Sequence, residues 1–263
     1  MRLALLSDVH GNLPALESAL AALRARRVDG WVCAGDLVGY GPWPNECVDA
    51  LLALDGTVVA GNHELAVLGR LADDRSSERA RASHAWTRER LRADVVARLE
   101  ALPLRAQVGP VVVAHGSLDD AQEYVRTPER ARRQVDQLRA EHPDARVLVL
   151  GNTHRQLLWP GAPVSPPTGR PLPLPRDGAC VVNPGSVGQS RQWEWPPRAR
   201  AAVLDLDAWT VELVRVPYDV RTARRGLRAT AQPYRAVHSP PPLRRALARR
   251  GRRATAAVRR ARR

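Results

Sequence analysis

Short apolar runs that each end in polar and glycine residues constrain the fold of this chain most. Five of them fall in the first 150 residues, at positions 2–6, 31–34, 57–60, 111–114 and 147–150, with a further strand candidate at 104–108. Longer segments with helical periodicity lie between them, at about residues 14–26, 45–54, 77–101 and 128–141. This alternation is typical of βαβ units, and strands that are apolar throughout need cover on both faces. The sequence therefore predicts an α/β domain.

After residue 150 the pattern changes to strands that follow one another. Strand patterns at residues 156–159, 179–182, 201–206 and 210–216 predict a sheet that is packed on the first one or paired with it. Residues 160–175 include seven prolines, which indicates a stiff surface loop rather than a linker between domains.

The net charge of +14 suggests a nucleic-acid partner, but its distribution argues against one. All 41 basic residues are arginines, and 15 of them lie in residues 221–263, where there is no acid. Subtracting the +15 of this tail leaves residues 1–220 at −1. The tail lacks interleaved aromatic residues, so we favour a solvated segment, partly disordered beyond about residue 232, over a nucleic-acid-binding arm. We therefore divide the chain into a domain at 1–220 and a tail at 221–263.

Composition restricts the class of protein further. Apolar residues make up 44% of the chain, enough to bury a core. No apolar run approaches the roughly 18 residues that span a bilayer, and the N-terminus turns polar at Ser7, too early for a signal peptide. We predict a soluble, cytoplasmic protein with no membrane span. The odd number and apolar surroundings of Cys33, Cys47 and Cys180 favour reduced core thiols over disulfides or a zinc cluster.

The rare polar residues of the chain collect where the predicted strands end. In an open α/β sheet the carboxyl ends of strands converge on one edge, so these residues are expected to share a site. Carboxylates, imidazoles and amide oxygens without a thiolate suit Mn, Fe, Ni or Zn. Two such ions need a bridging carboxylate and about three further ligands each, which this set can supply.

Five ordered motifs give these residues a known context. They are Asp8-Val9-His10-Gly11-Asn12, Gly35-Asp36, Gly61-Asn62-His63-Glu64, His115-Gly116 and Gly151-Asn152-Thr153-His154. On these motifs, residues 1–220 resemble the calcineurin-like metallophosphoesterases, in particular their small bacterial phosphodiesterases. The resemblance implies an α/β fold of the mixed type, a four-layer α/β/β/α sandwich of two mixed sheets.

The resemblance also implies a role for each matching residue. One metal ion would be held by Asp8, His10 and His154, the other by Asn62 and His115, with Asp36 bridging the two. Water between the ions would attack phosphorus in a small phosphorylated substrate. His63 would lie over the open side of the site and protonate the leaving oxygen or stabilise charge on the phosphoryl group.

Two departures from the family pattern bear on metal and substrate. Asn152 stands where the family places a histidine ligand of the second ion, and an amide oxygen is a weaker ligand than imidazole. In addition, the segment after Asp36 lacks the Asp-Arg pair of the related protein phosphatases. The resemblance therefore favours a phosphodiester or nucleotide-like substrate over a phosphoprotein. A phosphomonoesterase and a non-catalytic scaffold on the same fold remain the alternatives.

The residues around the motifs carry weaker signals. Arg155 and Arg191 lie near motif ends and are candidates for phosphate binding. Glu64 either orients the site or simply begins a helix, and residues 183–186 either support the metal loops or contact substrate. Three other histidines have no candidate ligands beside them in the sequence, and we predict that they are solvated surface residues: His84, His142 and His238.

Overall fold

The computed structural model describes residues 1–160, 170–192, 194 and 196–230. Its helices are α1 (Leu13–Arg24), α2 (Pro44–Leu52), α3 (Asn62–Val67), α4 (Glu78–Arg88), α5 (Ala93–Glu100), α6 (Pro128–Glu141) and α7 (Val220–Ala229). Its strands are β1 (Arg2–Leu6), β2 (Gly30–Cys33), β3 (Gly56–Val58), β4 (Arg105–Val108), β5 (Val111–Ala114), β6 (Val147–Val149), β7 (Gln156–Trp159), β8 (Leu172–Pro173), β9 (Cys180–Pro184), β10 (Arg198–Asp205) and β11 (Thr210–Pro217). Side-chain caps fix four helix starts, because Asn12, Ser77, Thr127 and Asp219 each accept a hydrogen bond from the backbone N–H three residues on.

The strands form two mixed sheets. The first has the order β3-β2-β1-β10-β11-β8, with β1, β2 and β3 parallel and the other pairs antiparallel. The second has the order β4-β5-β6-β9-β7, with β5, β6 and β9 parallel between two antiparallel edge strands. The parallel strands of each sheet therefore direct their carboxyl ends to one edge.

Three apolar cores separate the layers. Side chains such as Leu5 and Leu204 from the first sheet pack against Val113 and Val149 from the second. Helices α1, α2 and α5 cover the outer face of the first sheet, and α6 covers that of the second. The predicted four-layer α/β/β/α sandwich is confirmed. Burial also raises the pKa of the three thiols, which are unpaired as predicted: Cys33, Cys47 and Cys180.

The prediction of one long helix at residues 77–101 is wrong. The chain forms α4 and α5, with a break between Arg88 and Ala93. The Asn45 side chain stabilises the break, because its Nδ2 donates to Arg90 O at 2.9 Å and its Oδ1 accepts from Arg92 N at 3.0 Å. A side chain from α2 thus satisfies backbone groups that a continuous helix would have bonded internally.

Two further segments form secondary structure where the sequence predicts a loop and a tail. Residues 172–173, inside the predicted proline-rich loop, form β8 on the open edge of β11, and Leu174 N donates to Trp209 O at 3.0 Å. Residues 161–169 of the predicted loop lie outside the described residues. Helix α7 covers the predicted domain boundary at residue 220 and packs Ala223 and Leu227 against Tyr40. Residues 231–263, where we predict partial disorder, lie outside the described residues.

Candidate metal centre

The predicted ligands lie where strands of both sheets end. Loops contribute Asp8 and His10 after β1, Asp36 after β2, His115 after β5, and Asn152 and His154 after β6, while Asn62 is the first residue of α3, which follows β3. Backbone bonds join the loops: Asp8 N donates to Gly35 O at 3.0 Å, and Gly151 N donates to His115 O at 2.7 Å. The two sheets therefore bring residues that are up to 146 positions apart, Asp8 and His154, into one site.

Five of these residues have a backbone conformation that non-glycine residues rarely adopt. Their φ angles lie between 51° and 59°, in the left-handed region: Asp8, His10, Asp36, Asn152 and His154. Each such residue costs about 1 kcal/mol or more and persists where surrounding bonds determine the conformation. Strain of this kind is concentrated at functional sites.

The carboxylate of Glu64 organises the loop that carries Asp36. It accepts hydrogen bonds, between 2.7 and 3.0 Å long, from the backbone N–H groups of Asp36, Leu37, Val38 and Gly61. Burial raises the pKa of Glu64 to about 7, with the Asp36 carboxylate adding to the rise and the N–H donors opposing it. Of the two roles open for Glu64, the orienting one is therefore observed.

The end of β9 and the residues that follow it support the other loops. Asn183 Nδ2 donates to Gly151 O at 2.6 Å and to Thr153 Oγ1 at 3.1 Å. Ser186 Oγ donates to Asp8 O at 2.7 Å. These contacts hold residues next to the predicted ligands or the ligand backbone itself, so residues 183–186 act as a support for the metal loops.

Four of the predicted ligands form one buried cluster, here called the first cluster. Its members are Asp8, His10, Asp36 and His154, whose candidate ligand atoms lie within 4.8 Å of one another. The Nε2 atoms of His10 and His154 are 3.1 Å apart, and His154 Nε2 lies 3.3 Å from Asp8 Oδ1. His10 Nε2 is 3.7 Å from Asp36 Oδ2. Because all four side chains are buried, an ion held here would interact strongly with them.

Backbone carbonyl groups determine which nitrogen of each imidazole faces the first cluster. His10 Nδ1 donates to Val38 O at 3.2 Å, and His154 Nδ1 donates to Gln189 O at 2.6 Å. Burial lowers the pKa of His10 to about 4 and that of His154 well below its ordinary value, so both rings are neutral near pH 7. A neutral ring that donates from Nδ1 carries a lone pair at Nε2. Lone pairs and carboxylate oxygens therefore face one another, an arrangement that suits a bound cation.

Asp36 also belongs to a second group of ligands. His115 Nε2 lies 3.2 Å from Asp36 Oδ2 and 3.0 Å from Asn62 Oδ1, while its Nδ1 donates to Ala34 O at 2.5 Å. Burial lowers the pKa of His115, but the carboxylates of Asp36 and Asp8 outweigh this effect and raise it to about 10. The oxygens around His115 Nε2 thus favour a positive charge, which a metal ion would supply in place of a proton.

Asn152 lies beside the first cluster. Its backbone N–H donates to Asp8 Oδ1 at 3.1 Å, and its Nδ2 donates to Ala121 O at 3.3 Å and Glu123 O at 3.0 Å. Within the described part of the chain, no donor bonds to its Oδ1. The amide is thus oriented by its nitrogen, and its oxygen remains the end that could act as a ligand.

His63 and His84 form a buried pair beside the clusters. His63 Nε2 lies 3.9 Å from Asp36 Oδ2, and its Nδ1 lies 3.0 Å from His84 Nε2. The ring of His63 also packs at 4.6 Å from that of Tyr40. The prediction that His84 is a solvated surface residue is wrong, because α4 packs against α3 and buries it. His142 is partly buried with its Nδ1 3.1 Å from Gln107 Oε1, and His238 lies outside the described residues.

The two predicted phosphate-binding arginines lie close to the first cluster. Arg155 directly follows His154 and is exposed, whereas Arg191 is partly buried and its backbone N–H donates to His154 O at 3.1 Å. The Arg191 guanidinium donates to Tyr124 Oη at 3.2 Å. Sequence reasoning assigned no functional role to Tyr124, Tyr40 or His84, and each lies outside the five motifs.

Comparisons with known proteins identify the class of protein that this fold and site define. A model of the calcineurin-like phosphoesterase family matches residues 1–182, so the chain belongs to this family. The uncharacterized protein MJ0912 of Methanocaldococcus jannaschii is 30% identical over 236 residues, which cover 84% of this chain and 89% of the relative. The resemblance predicted from the five motifs is confirmed.

Solved structures support the same conclusion. A metallophosphoesterase from Sphaerobacter thermophilus is 35% identical, with a TM-score of 0.75 over 90% of this chain and 97% of that one. The hypothetical protein PH1004 from Pyrococcus horikoshii is 17% identical, with a TM-score of 0.69 over 89% of this chain and 95% of that one, which shows a shared fold. Among the helices of the described residues, none is long and apolar enough to cross a membrane.

Proposed function

We propose that this protein is a phosphoester hydrolase that uses two divalent metal ions and prefers phosphodiesters. The observation that carries the proposal is the set of lone pairs and carboxylate oxygens that face one another in the first cluster. Membership of the calcineurin-like family agrees with this chemistry. The mixture of carboxylate, amide and imidazole favours Mn²⁺, with Fe, Ni and Zn as alternatives.

The ligand assignment follows the two groups of side chains. One ion would bind Asp8, His10 and His154, the other Asn62, His115 and the weaker ligand Asn152, with Asp36 between them. When bound, the two ions acidify a water molecule for attack on phosphorus and neutralise charge on the phosphate. The Nδ1–H bonds to backbone carbonyls keep the ligand nitrogens of His10 and His154 directed inwards.

His63 would act on the phosphate rather than on the metal ions. Burial lowers the pKa of His63 well below its ordinary value, so its ring is neutral near pH 7. If His84 donates its Nε2–H to His63 Nδ1, the proton of the His63 ring is at Nε2, on the side of Asp36. There it would donate a hydrogen bond to the leaving oxygen or to a phosphoryl oxygen.

The test compares a diester with a monoester that releases the same chromophore. The full chain is loaded with Mn, Fe, Ni or Zn and assayed on bis(4-nitrophenyl) phosphate and on 4-nitrophenyl phosphate. We expect the diester to be preferred and Asp36→Asn to lower kcat/KM about 100-fold or more. The matched control is Asp55→Asn, which alters an exposed carboxylate. Wild-type rates equal to those of Asp36→Asn with every metal would contradict the proposal, and a preference for the monoester would indicate a phosphomonoesterase.

The substitution of a histidine ligand by Asn152 keeps one alternative open, a non-catalytic scaffold on the same fold. Metal content separates the two. Elemental analysis after loading with Mn is expected to give two ions per chain for an enzyme, whereas fewer than one ion per chain would favour the scaffold. Asp36→Asn is expected to lower the content towards the background of the unloaded protein.

A further inference from the structure

Three arginines and a tyrosine lie together at the side of the first cluster. Arg191 is fixed there because its backbone N–H donates to the carbonyl of His154. Its guanidinium donates to Tyr124 Oη at 3.2 Å, and the Cζ atom of Arg126 lies 3.9 Å from the centre of the Tyr124 ring. Arg155 directly follows His154. We call these four residues the arginine patch.

The segment that carries Tyr124 and Arg126 is tied to the metal centre. Asn152 Nδ2 bonds to the carbonyl groups of Ala121 and Glu123, the residue before Tyr124. Tyr124 is 37% exposed, so solvent reaches the patch although it lies beside buried ligands. A group bound at the patch would therefore lie next to a phosphate held at the metal centre.

The charges of the patch are not balanced by acids. Among the described residues, no carboxylate forms an ion pair with Arg126, Arg155 or Arg191. Arginines nearby differ in this respect, because each of them has a carboxylate partner. Glu123 pairs with Arg130 and Arg133, Asp120 with Arg75, and Glu194 with Arg198, Arg200 and Arg215.

The direction of the pKa shift of Arg126 agrees with this placement of the three cations. Burial lowers the pKa of Arg126, and the positive charges of Arg191, Arg155 and Arg130 lower it further. The patch thus has an excess of positive charge beside the first cluster, and an anion would relieve it.

We propose that Arg126, Arg155 and Arg191, arranged around Tyr124, bind a phosphate group of the substrate other than the phosphate that is hydrolysed. Guanidinium groups bind phosphate oxygens in a bidentate manner, and one substrate with two phosphates can occupy the patch and the metal centre together. The substrate class is then a small molecule with a chain of phosphates. This inference rests on the proposed function and adds a substrate class to it.

The extent of the patch favours a small molecule over a nucleic acid. A nucleic-acid strand needs a track of cations that neutralises several phosphates in succession. Here the neighbouring cations Arg130 and Arg133 are paired with Glu123, and Arg200 is paired with Glu194. Each of these neighbours has a carboxylate partner, whereas the three arginines of the patch have none among the described residues and match one or two phosphate groups.

The first experiment compares two substrates with the same leaving group. Bis(4-nitrophenyl) phosphate has one phosphate, and the γ-(4-nitrophenyl) ester of adenosine 5′-triphosphate has three. With the full chain in excess Mn²⁺, we expect Arg126→Ala and Arg191→Ala each to raise the KM for the triphosphate ester about tenfold more than that for the diester. The matched control Arg221→Ala removes an exposed arginine on α7 and should leave both KM values unchanged. Equal effects on both substrates, or none on either, would overturn the proposal.

The second experiment measures binding without catalysis. A fluorescent N-methylanthraniloyl derivative of ADP is titrated into the full chain in EDTA at 150 mM salt. Arg126→Ala and Arg191→Ala should weaken binding about tenfold, Arg191→Lys less, and Arg221→Ala not at all. If only binding of a single-stranded oligonucleotide is weakened, the patch serves a nucleic acid and the proposal is wrong. If wild type hydrolyses neither ester but this binding pattern holds, the proposed function fails while the phosphate subsite stands.

Discussion

Replacing Glu64 should reveal how much of the fold's stability depends on one buried carboxylate. Its Oε1 accepts from the N–H groups of Leu37 and Val38, and its Oε2 accepts from those of Asp36 and Gly61. A buried donor left without an acceptor costs about 1–3 kcal/mol. Glu64→Ala leaves all four donors unpaired and should cost about 4 kcal/mol or more. Glu64→Gln keeps one acceptor oxygen but presents an NH₂ group to two donors, so it should cost about 2 kcal/mol or more.

The assay is urea unfolding followed by tryptophan fluorescence, in EDTA so that metal binding does not contribute. Glu17→Gln is the matched control, because Glu17 is exposed on α1 and its replacement should change the free energy of unfolding by less than about 0.5 kcal/mol. The same series in Mn²⁺ should show weaker metal binding, since the loop at residues 36–38 positions Asp36. If Glu64→Gln unfolds at the same urea concentration as Glu17→Gln, the four hydrogen bonds do not stabilise the loop.

Substitutions at three further positions test the site. Asn152→His should raise affinity for the second metal ion about tenfold by titration calorimetry, and equal or lower affinity would show that Asn152 is not a ligand. At Gly39 (φ 81°) a Cβ would lie 2.2 Å from His63 Nδ1, so Gly39→Ala should lower kcat and the melting temperature. Gly69→Ala is the control, because Gly69 has a similar φ of 71° but no atoms near its Cβ position, so this substitution measures the backbone strain of about 1 kcal/mol alone. His84→Leu should lower kcat about tenfold, with the largest loss for substrates that have poor leaving groups. His84→Gln should lower kcat less, because the glutamine amide can still donate to His63. A loss of activity that is independent of the leaving group would refute the role of His84 in orienting His63.

The ligands could be predicted from the sequence because two separate criteria select the same residues. These residues follow predicted strands, and their side chains are of the types that bind metal ions. Parallel strands of one sheet have their carboxyl ends at the same edge, so Asp8 and Asp36, which follow β1 and β2, had to be neighbours once the strands were recognised. His154 follows β6 of the second sheet, and it was the family resemblance that placed it with them. The bonds from imidazole Nδ1 to backbone carbonyls were not predictable. They depend on where the loop at Val38 and the segment at Gln189 pass, which no local pattern specifies.

His84 shows why a polar helix misleads sequence reasoning. Helix α4 buries Ala80, Ser83, His84 and Thr87, which have the i, i+3, i+4, i+7 spacing of a buried helix face. The stripe is small and polar rather than apolar, so it does not stand out against the charged residues around it. Its spacing was the signal that could have identified His84 as a buried residue, but only the contact with His63 gives it a role.

The arginine-rich composition hid Arg126 for a different reason. In a chain with 41 arginines, position near a motif says little about any single one, and Arg126 is near none of the five motifs. What distinguishes the arginine patch is the absence, among the described residues, of acids paired with it, while the surrounding arginines pair with Glu123, Asp120 and Glu194. Unbalanced positive charge next to a cation site opposes metal binding as long as no anion neutralises it. An anionic substrate that spans both sites removes this conflict, because its phosphates neutralise the patch while the metal ions hold the phosphate that reacts.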